Sequence, residues 1–177
     1  MNKFFLMNTQ NILITLLLLS GGLFFACEDK DYPAGLSEYE HHYYIVYVPN
    51  NNSGITVNRS QTELIKFPVQ FYSEFTRNYD AVAHYSVVTP DVPNPAVVGV
   101  DFQIVDQEGN VLQPGDNGKY SLVFPQAVKT KDTVYVKLLN NPEPGTRMVE
   151  INFEDNITPE YRVDIFSTAF RRTLTIE

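Results

Sequence analysis

Few side chains in this sequence are placed to do chemistry, and the first is its only thiol, Cys27. A lone cysteine closes no internal disulfide and has no companion for a thiolate metal cage. It stands at the end of an apolar run, Leu23-Phe24-Phe25-Ala26, where a lipid-attachment point is the chemistry that fits. The histidines are His41, His42 and His84. Neighbours on a strand point to opposite faces, so His41 and His42 would not chelate one metal together. No Gly-x-Ser-x-Gly or Ser-x-x-Lys motif supplies a nucleophile, and no glycine-rich run follows a strand to cradle phosphate. Paired carboxylates for glycoside hydrolysis need a set separation in a cleft, and composition alone does not provide one. No catalytic residue, metal or cofactor is assigned, and a non-enzyme is expected.

Aromatic side chains are the other resource. The chain has eleven Tyr and twelve Phe but no Trp. Tyr39, Tyr43, Tyr44 and Tyr47 lie near Asn50–Asn52, and Phe75-Thr76-Arg77-Asn78-Tyr79 forms a polar-aromatic loop. Rings of this kind stack on pyranose faces while Asn, Asp or Gln hold hydroxyls, so Tyr39, Tyr43, Tyr44, Tyr47, Phe75, Arg77, Asn78 and Tyr79 are the candidate ligand-binding residues. Tyrosines on strands also serve packing, and that alternative stays open.

The elements that must position these groups begin with a leader. Lys3 is the one charged side chain before Cys27, and Ile12 to Leu19 is an apolar core of signal-peptide length followed by Ser20-Gly21-Gly22. An uncleaved span from Phe4 to Ala26 is the alternative. The organisation expected is a signal peptide over 1–26, an acidic tether over 27–40 and a single domain over 41–177, large enough for a real core. The net charge is −8, and removal of the leader makes it one unit more negative. That acidity argues against a basic patch, and so against nucleic acid or anionic lipid as a partner.

Eleven Pro and nine Gly punctuate a chain rich in β-branched and aromatic residues. The clearest strand is Leu64 to Tyr72. Ile65, Phe67, Val69 and Phe71 fall on one face, and Lys66, Pro68, Gln70 and Tyr72 on the other. Pro68 lacks a donor, which places that strand at an edge or at a bulge. Ala81 to Val88 alternates too. Further on, Val134, Val136 and Leu138 face inward, as do Val149, Ile151 and Phe153. Tyr161 to Phe166 reads equally as strand or helical turn, and Thr89 to Pro95 is too proline-rich for either. No window sustains a helical period. The fold class expected is all-β, a Greek-key β-sandwich of about seven to nine strands.

Several stretches resemble known families. Phe24-Phe25-Ala26-Cys27 resembles a bacterial lipobox, and Glu28-Asp29-Lys30-Asp31 resembles the charged tag that exports Bacteroidota lipoproteins to the cell surface. Gly99-Val100-Asp101-Phe102, Tyr120 to Pro125 and Asp132 to Leu138 resemble the Calx-β pattern of immunoglobulin-like sandwiches. Together these make the chain similar to small Bacteroidota surface lipoproteins, of the kind encoded beside SusC/SusD-type glycan-uptake systems. The resemblance implies acylation of Cys27, anchorage in the outer membrane and exposure at the cell surface. It also implies a non-catalytic module that binds glycan or assists a SusC/SusD-like complex. The alternative is a structural or adhesive protein that docks other proteins. Asp132-Thr133-Val134 resembles the site of O-glycan attachment in such proteins, at Thr133. Calx-β domains elsewhere bind calcium through acidic loops. The corresponding loop here reads Asn140-Asn141-Pro142-Glu143, a departure that leaves calcium open.

Overall fold

A computed structural model describes residues 41–177. Cys27, the Glu28–Asp31 run, Tyr39 and the leader and tether expected before residue 41 lie outside the described residues. Alternation of apolar and polar side chains drives almost every element. In β3 (Ile65–Tyr72) the apolar set Ile65, Phe67, Val69 and Phe71 is buried, while Lys66, Pro68 and Tyr72 face solvent. The same period writes β1 (His42–Tyr47), β4 (Ala81–Val88), β7 (Thr130–Leu138), β8 (Arg147–Glu154) and β11 (Arg171–Ile176). Shorter pieces complete the set: β2 (Ile55–Val57), β5 (Phe102–Val105), β6 (Tyr120–Phe124), β9 (Asn156–Ile157) and β10 (Arg162–Ile165).

The strands number eleven, not seven to nine. The shortest of them carry no period of their own. β2 exists because it lies parallel to β11, and β10 because it lies parallel to β1. That pairing settles the ambiguous stretch around Tyr161 to Phe166 in favour of a strand.

Two sheets form, in the orders β5-β7-β3-β1-β10-β9 and β2-β11-β8-β4-β6. The runs β7-β3-β1 and β11-β8-β4 reproduce the E-B-A and G-F-C orders of an immunoglobulin-like Greek-key sandwich, with β6 added beside β4. Side chains from the two inner faces interdigitate in one core. Phe71 of β3 stacks on Phe124 of β6 with centroids 4.2 Å apart and planes 10° apart, and Tyr47 of β1 meets Phe153 of β8 at 4.7 Å. Burial of each such ring contributes about 1.5–3 kcal/mol, and the ring pairs add about 0.5–1.5 kcal/mol apiece.

One expectation is corrected outright. β3 is an interior strand, flanked by β7 and β1. Pro68 is tolerated because of where its missing N–H would point. The Pro68 carbonyl accepts from the Val48 N–H at 2.8 Å, and in an antiparallel pair N–H and C=O of one residue face the same neighbour. The absent donor therefore faces the point where β1 has already ended, and the ladder to β7 loses nothing.

The connection from β1 to β2 carries the chain from one sheet to the other and is held by Arg172. This side chain is buried with no carboxylate beside it. Its guanidinium donates to the carbonyls of Pro49 at 2.6 Å, Arg171 at 3.2 Å and Asn51, and lies 4.8 Å from the Tyr47 ring centroid.

Candidate functional site

β1 enters the six-stranded sheet with His42 and Tyr44 on its outer side and Tyr43 and Ile45 in the core. Register then decides which side chains become neighbours. Tyr44 pairs with Tyr72 of β3 on one side and with Asp164 of β10 on the other. The outer row across the sheet therefore reads Asp164, Tyr44, Tyr72, with Lys129 following just before β7. Lys129 Nζ lies 5.3 Å from the Tyr72 ring centroid, within the range of a cation–π contact.

The rings continue in both directions. Phe166 stacks on Tyr44 with centroids 4.9 Å apart, and His42 stacks on Tyr44 at 4.8 Å. Beyond Tyr72 the chain turns through Ser73, Glu74 and Phe75, where the Ser73 hydroxyl donates to the Phe75 carbonyl at 3.0 Å. Phe75 is 56 % exposed, with the Arg77 guanidinium 5.3 Å from its ring centroid. Between these groups lies an open groove of about 360 Å³ lined by His42, Tyr44, Tyr72, Glu74, Phe75 and Lys129 among others.

Its electrostatics are arranged at the rim. Asp164 accepts from Arg162 Nε and pairs with His42 Nε2. Burial alone would raise the Asp164 carboxyl, but the bonds from Arg162 and His42 outweigh it and hold the group below the usual carboxylate range. That pairing fixes the His42 ring against Tyr44. Among the described residues no group of three or more His, Cys, Asp or Glu is placed to hold a metal ion.

The expected ligand-binding residues divide sharply. Tyr44 and Phe75 line the groove, and Arg77 reaches it only through its place beside the Phe75 ring. Tyr43 borders the floor of the groove but is almost wholly buried, and Tyr47 is a fully buried core ring away from it. Tyr79 belongs to packing: it lies parallel to Tyr161 at 5.5 Å, and its hydroxyl shares hydrogen bonds with Tyr43 Oη at 2.6 Å and His41 Nδ1 at 2.5 Å. Burial first, then the bond to Tyr43, pushes the Tyr79 phenol above its ordinary value. Asn78 is exposed. Asn51 and Asn52 are turned to internal use, since the Asn52 side chain donates to the Ser167 carbonyl at 2.8 Å and accepts from the Arg171 N–H at 3.0 Å. Thr133 sits half-buried in mid-β7, on the outer face opposite Pro68.

His42, Tyr72, Ser73, Glu74 and Lys129 line the groove, and Phe166 stacks on Tyr44, yet none was among the residues read from the sequence. Alternation in β3 already set Tyr72 on the polar face beside Lys66 and Gln70. Its meeting with Tyr44 depends on register, which no local pattern discloses.

The fold is shared with solved structures. The apo form of the Calx CBD1 domain aligns with a TM-score of 0.50 and 16 % identity, covering 76 % of this chain and 95 % of that one. The Calx CBD2 domain aligns with a TM-score of 0.49 and 10 % identity over 75 % of this chain and 85 % of that one. CaCohA2 from Clostridium acetobutylicum gives 0.39 and 11 % identity over 77 % and 92 %. No protein-family model matches the chain, and no curated protein does. The chain thus has the Calx-β type of immunoglobulin-like sandwich.

Proposed function

We propose that this chain is a non-catalytic carbohydrate-binding module, lipid-anchored through Cys27 at the outer surface of the outer membrane. One observation carries the binding reading. The ring faces of Phe166, Tyr44 and His42 run in a stack along the sheet, with Tyr72 beside them and an exposed Phe75 closing the groove. The stack holds Tyr44 upright as a wall, and a sugar ring offers its apolar C–H face to the exposed Tyr72 and Phe75 and its hydroxyls to the rim, where Ser73, Glu74 and Lys129 supply acceptors and donors. Apolar walls with a few placed polar groups are the usual make-up of a ligand site. An open groove on a sheet face suits an extended polymer, as handled by a SusC/SusD-like uptake complex, which is the setting we propose.

The anchor rests on sequence: the apolar leader, the lipobox resemblance at Cys27 and the acidic run behind it. Two or more acyl chains hold a protein stably, because each buried methylene contributes about 0.8 kcal/mol.

The test has two arms. In the native host, palmitate labelling is expected to vanish in Cys27→Ala, and protease is expected to shave the wild type from intact cells. Equal labelling in both would end the lipoprotein reading. In affinity electrophoresis against a panel of polysaccharides, Tyr44→Ala and Tyr72→Ala are each expected to weaken binding about tenfold, which is about 1.4 kcal/mol, with the melting temperature retained. No retention of the wild type by any polymer would end the carbohydrate reading.

A second reading, docking of another protein, has one observation in its favour. β6 is the outermost strand of its sheet, paired only with β4, and its Val123 is 52 % exposed. Such an edge is a template for strand addition. Co-purification with an outer-membrane receptor, abolished by Val123→Lys, would favour it.

A further inference from the structure

We infer that the polymer taken by this face is an anionic polysaccharide, one bearing carboxylate or sulfate groups along its length. The inference rests on the carbohydrate reading above and adds the charge of the ligand. Five lysines lie among the described residues: Lys66, Lys119, Lys129, Lys131 and Lys137. Lys119 is paired with Glu154 at 2.5 Å, in the other sheet. The remaining four all belong to the outer face of the six-stranded sheet. Lys131 and Lys137 alternate with the buried Val134, Val136 and Leu138 of β7, and Lys66 stands opposite Tyr135 of β7. Lys129 extends the same row and covers Tyr72.

All four are exposed, and none forms an ion pair with another described residue. The outward positions of β3 and β7 carry no acid at all: they are Lys66, Pro68, Gln70 and Tyr72 in one strand, and Lys131, Thr133, Tyr135 and Lys137 in the other. Asp132, the one acid in β7, pairs with the inward Val69 and so points away from this face. In a chain of net charge −8, the free lysines of the described residues thus gather on one side. Overall acidity argued against any basic patch. Period two within strands and the register between them built one regardless.

The shape of the patch selects among polyanions. From Lys129 to Lys137 is eight residues of strand, about 26 Å at ~3.3 Å per residue. Its width is two strands, about 5 Å between their axes. A single narrow chain can lie along such a strip. A bilayer or a duplex would overhang it and meet the acidic remainder of the surface, which at a screening length of about 10 Å is still felt. Lysines act as flexible point charges without a fixed fork geometry. They suit anions whose spacing varies along a polymer, while the rings at one end of the strip stack on its sugars.

The experiment uses the full-length chain in detergent, with alginate and polygalacturonate as acidic probes, dextran and xylan as neutral ones, and single-stranded DNA as the competing polyanion. We expect retention by an acidic polysaccharide and a tenfold or greater loss of affinity on going from about 50 to about 500 mM NaCl, from weak to strong screening. The double variant Lys129→Glu/Lys131→Glu is expected to lose at least tenfold, and Lys119→Glu to lose nothing. Lys129→Gln/Lys131→Gln, which only removes charge, is expected to fall between and guards against misfolding of the reversal. Equal, salt-insensitive binding of dextran and alginate would overturn the anionic inference and leave the carbohydrate reading standing. Failure of every polymer to bind would overturn both. DNA held as tightly as alginate would show a general polyanion site and overturn the inference as well.

Discussion

At Tyr79 the hydroxyl is shared with Tyr43 and His41 while the ring lies on Tyr161. Tyr79→Phe is expected to keep the stack, lose two hydrogen bonds and cost about 1–2 kcal/mol of stability. It should leave polysaccharide binding unchanged, since no ring face of Tyr79 borders the groove. Urea melts read beside affinity electrophoresis check both halves. A binding loss as large as that of Tyr44→Ala would return Tyr79 to the site. The contrast between Tyr43 and Tyr44 shows what the sequence leaves undecided. Period two states that one of them faces in and the other out. Which is which depends on the sheet packed behind β1. Tyr47 is the same residue type at the same parity as Tyr43, and it too is consumed by the core.

Among the elements, the loop from β1 to β2 depends most on a single distant side chain. Arg172 gathers the carbonyls of Pro49, Asn51 and Arg171 and is itself buried. Arg172→Met fills much of the space but removes charge-assisted bonds to three carbonyls, at about 1.5–3 kcal/mol each before solvent partly replaces them at the exposed Pro49 and Asn51. A loss of about 3 kcal/mol or more is expected in urea denaturation, with an unchanged dependence on denaturant. A change under 1 kcal/mol would mean the loop holds itself. Long alternating strands such as β3 and β8 were legible, because each carries its own period over eight residues. Ile55–Val57 reads as a short strand and is β2, but β9 was not legible and β10 reads equally as a helical turn, because pairing rather than pattern creates them. Pro68 misled for a related reason: the rule against proline in interior strands concerns a donor that faces a neighbour, and here the neighbour has ended.

For the molecule as a whole, acidity sets the response to pH. Asp106, Glu154 and Asp164 are all held below their ordinary values, Asp106 chiefly by the Asn110 side chain, Glu154 by Lys119, and Asp164 by Arg162 and His42 against the opposing effect of burial. In the unfolded chain such groups titrate near 3.9–4.3. Above that range both states are ionised and the stabilisation is fully present. As pH falls the unfolded chain takes up protons first, so stability declines below about pH 4.5 and goes on declining through the lower folded values. Thermal melts from pH 7 to pH 3 are expected to show it, with a shallower decline in Asp164→Asn. A flat profile would sink the argument. The sandwich was legible from alternation and turn residues, and the Calx-β resemblance survives as fold. The groove and the lysine face were not, because both arise where β1, β3 and β7 come into register. The place of β1 also has a mechanical meaning. It is the first described strand, and it lies inside its sheet, with four residue pairs to β10 on one side and four to β3 on the other. Tension applied at the N-terminal end of β1 runs along the strand, perpendicular to the hydrogen bonds that flank it. Both rows are then sheared together instead of unzipped one bond at a time. If the protein is tethered through its N-terminus as proposed, a pull on a bound polymer would load β1 in shear against both neighbours.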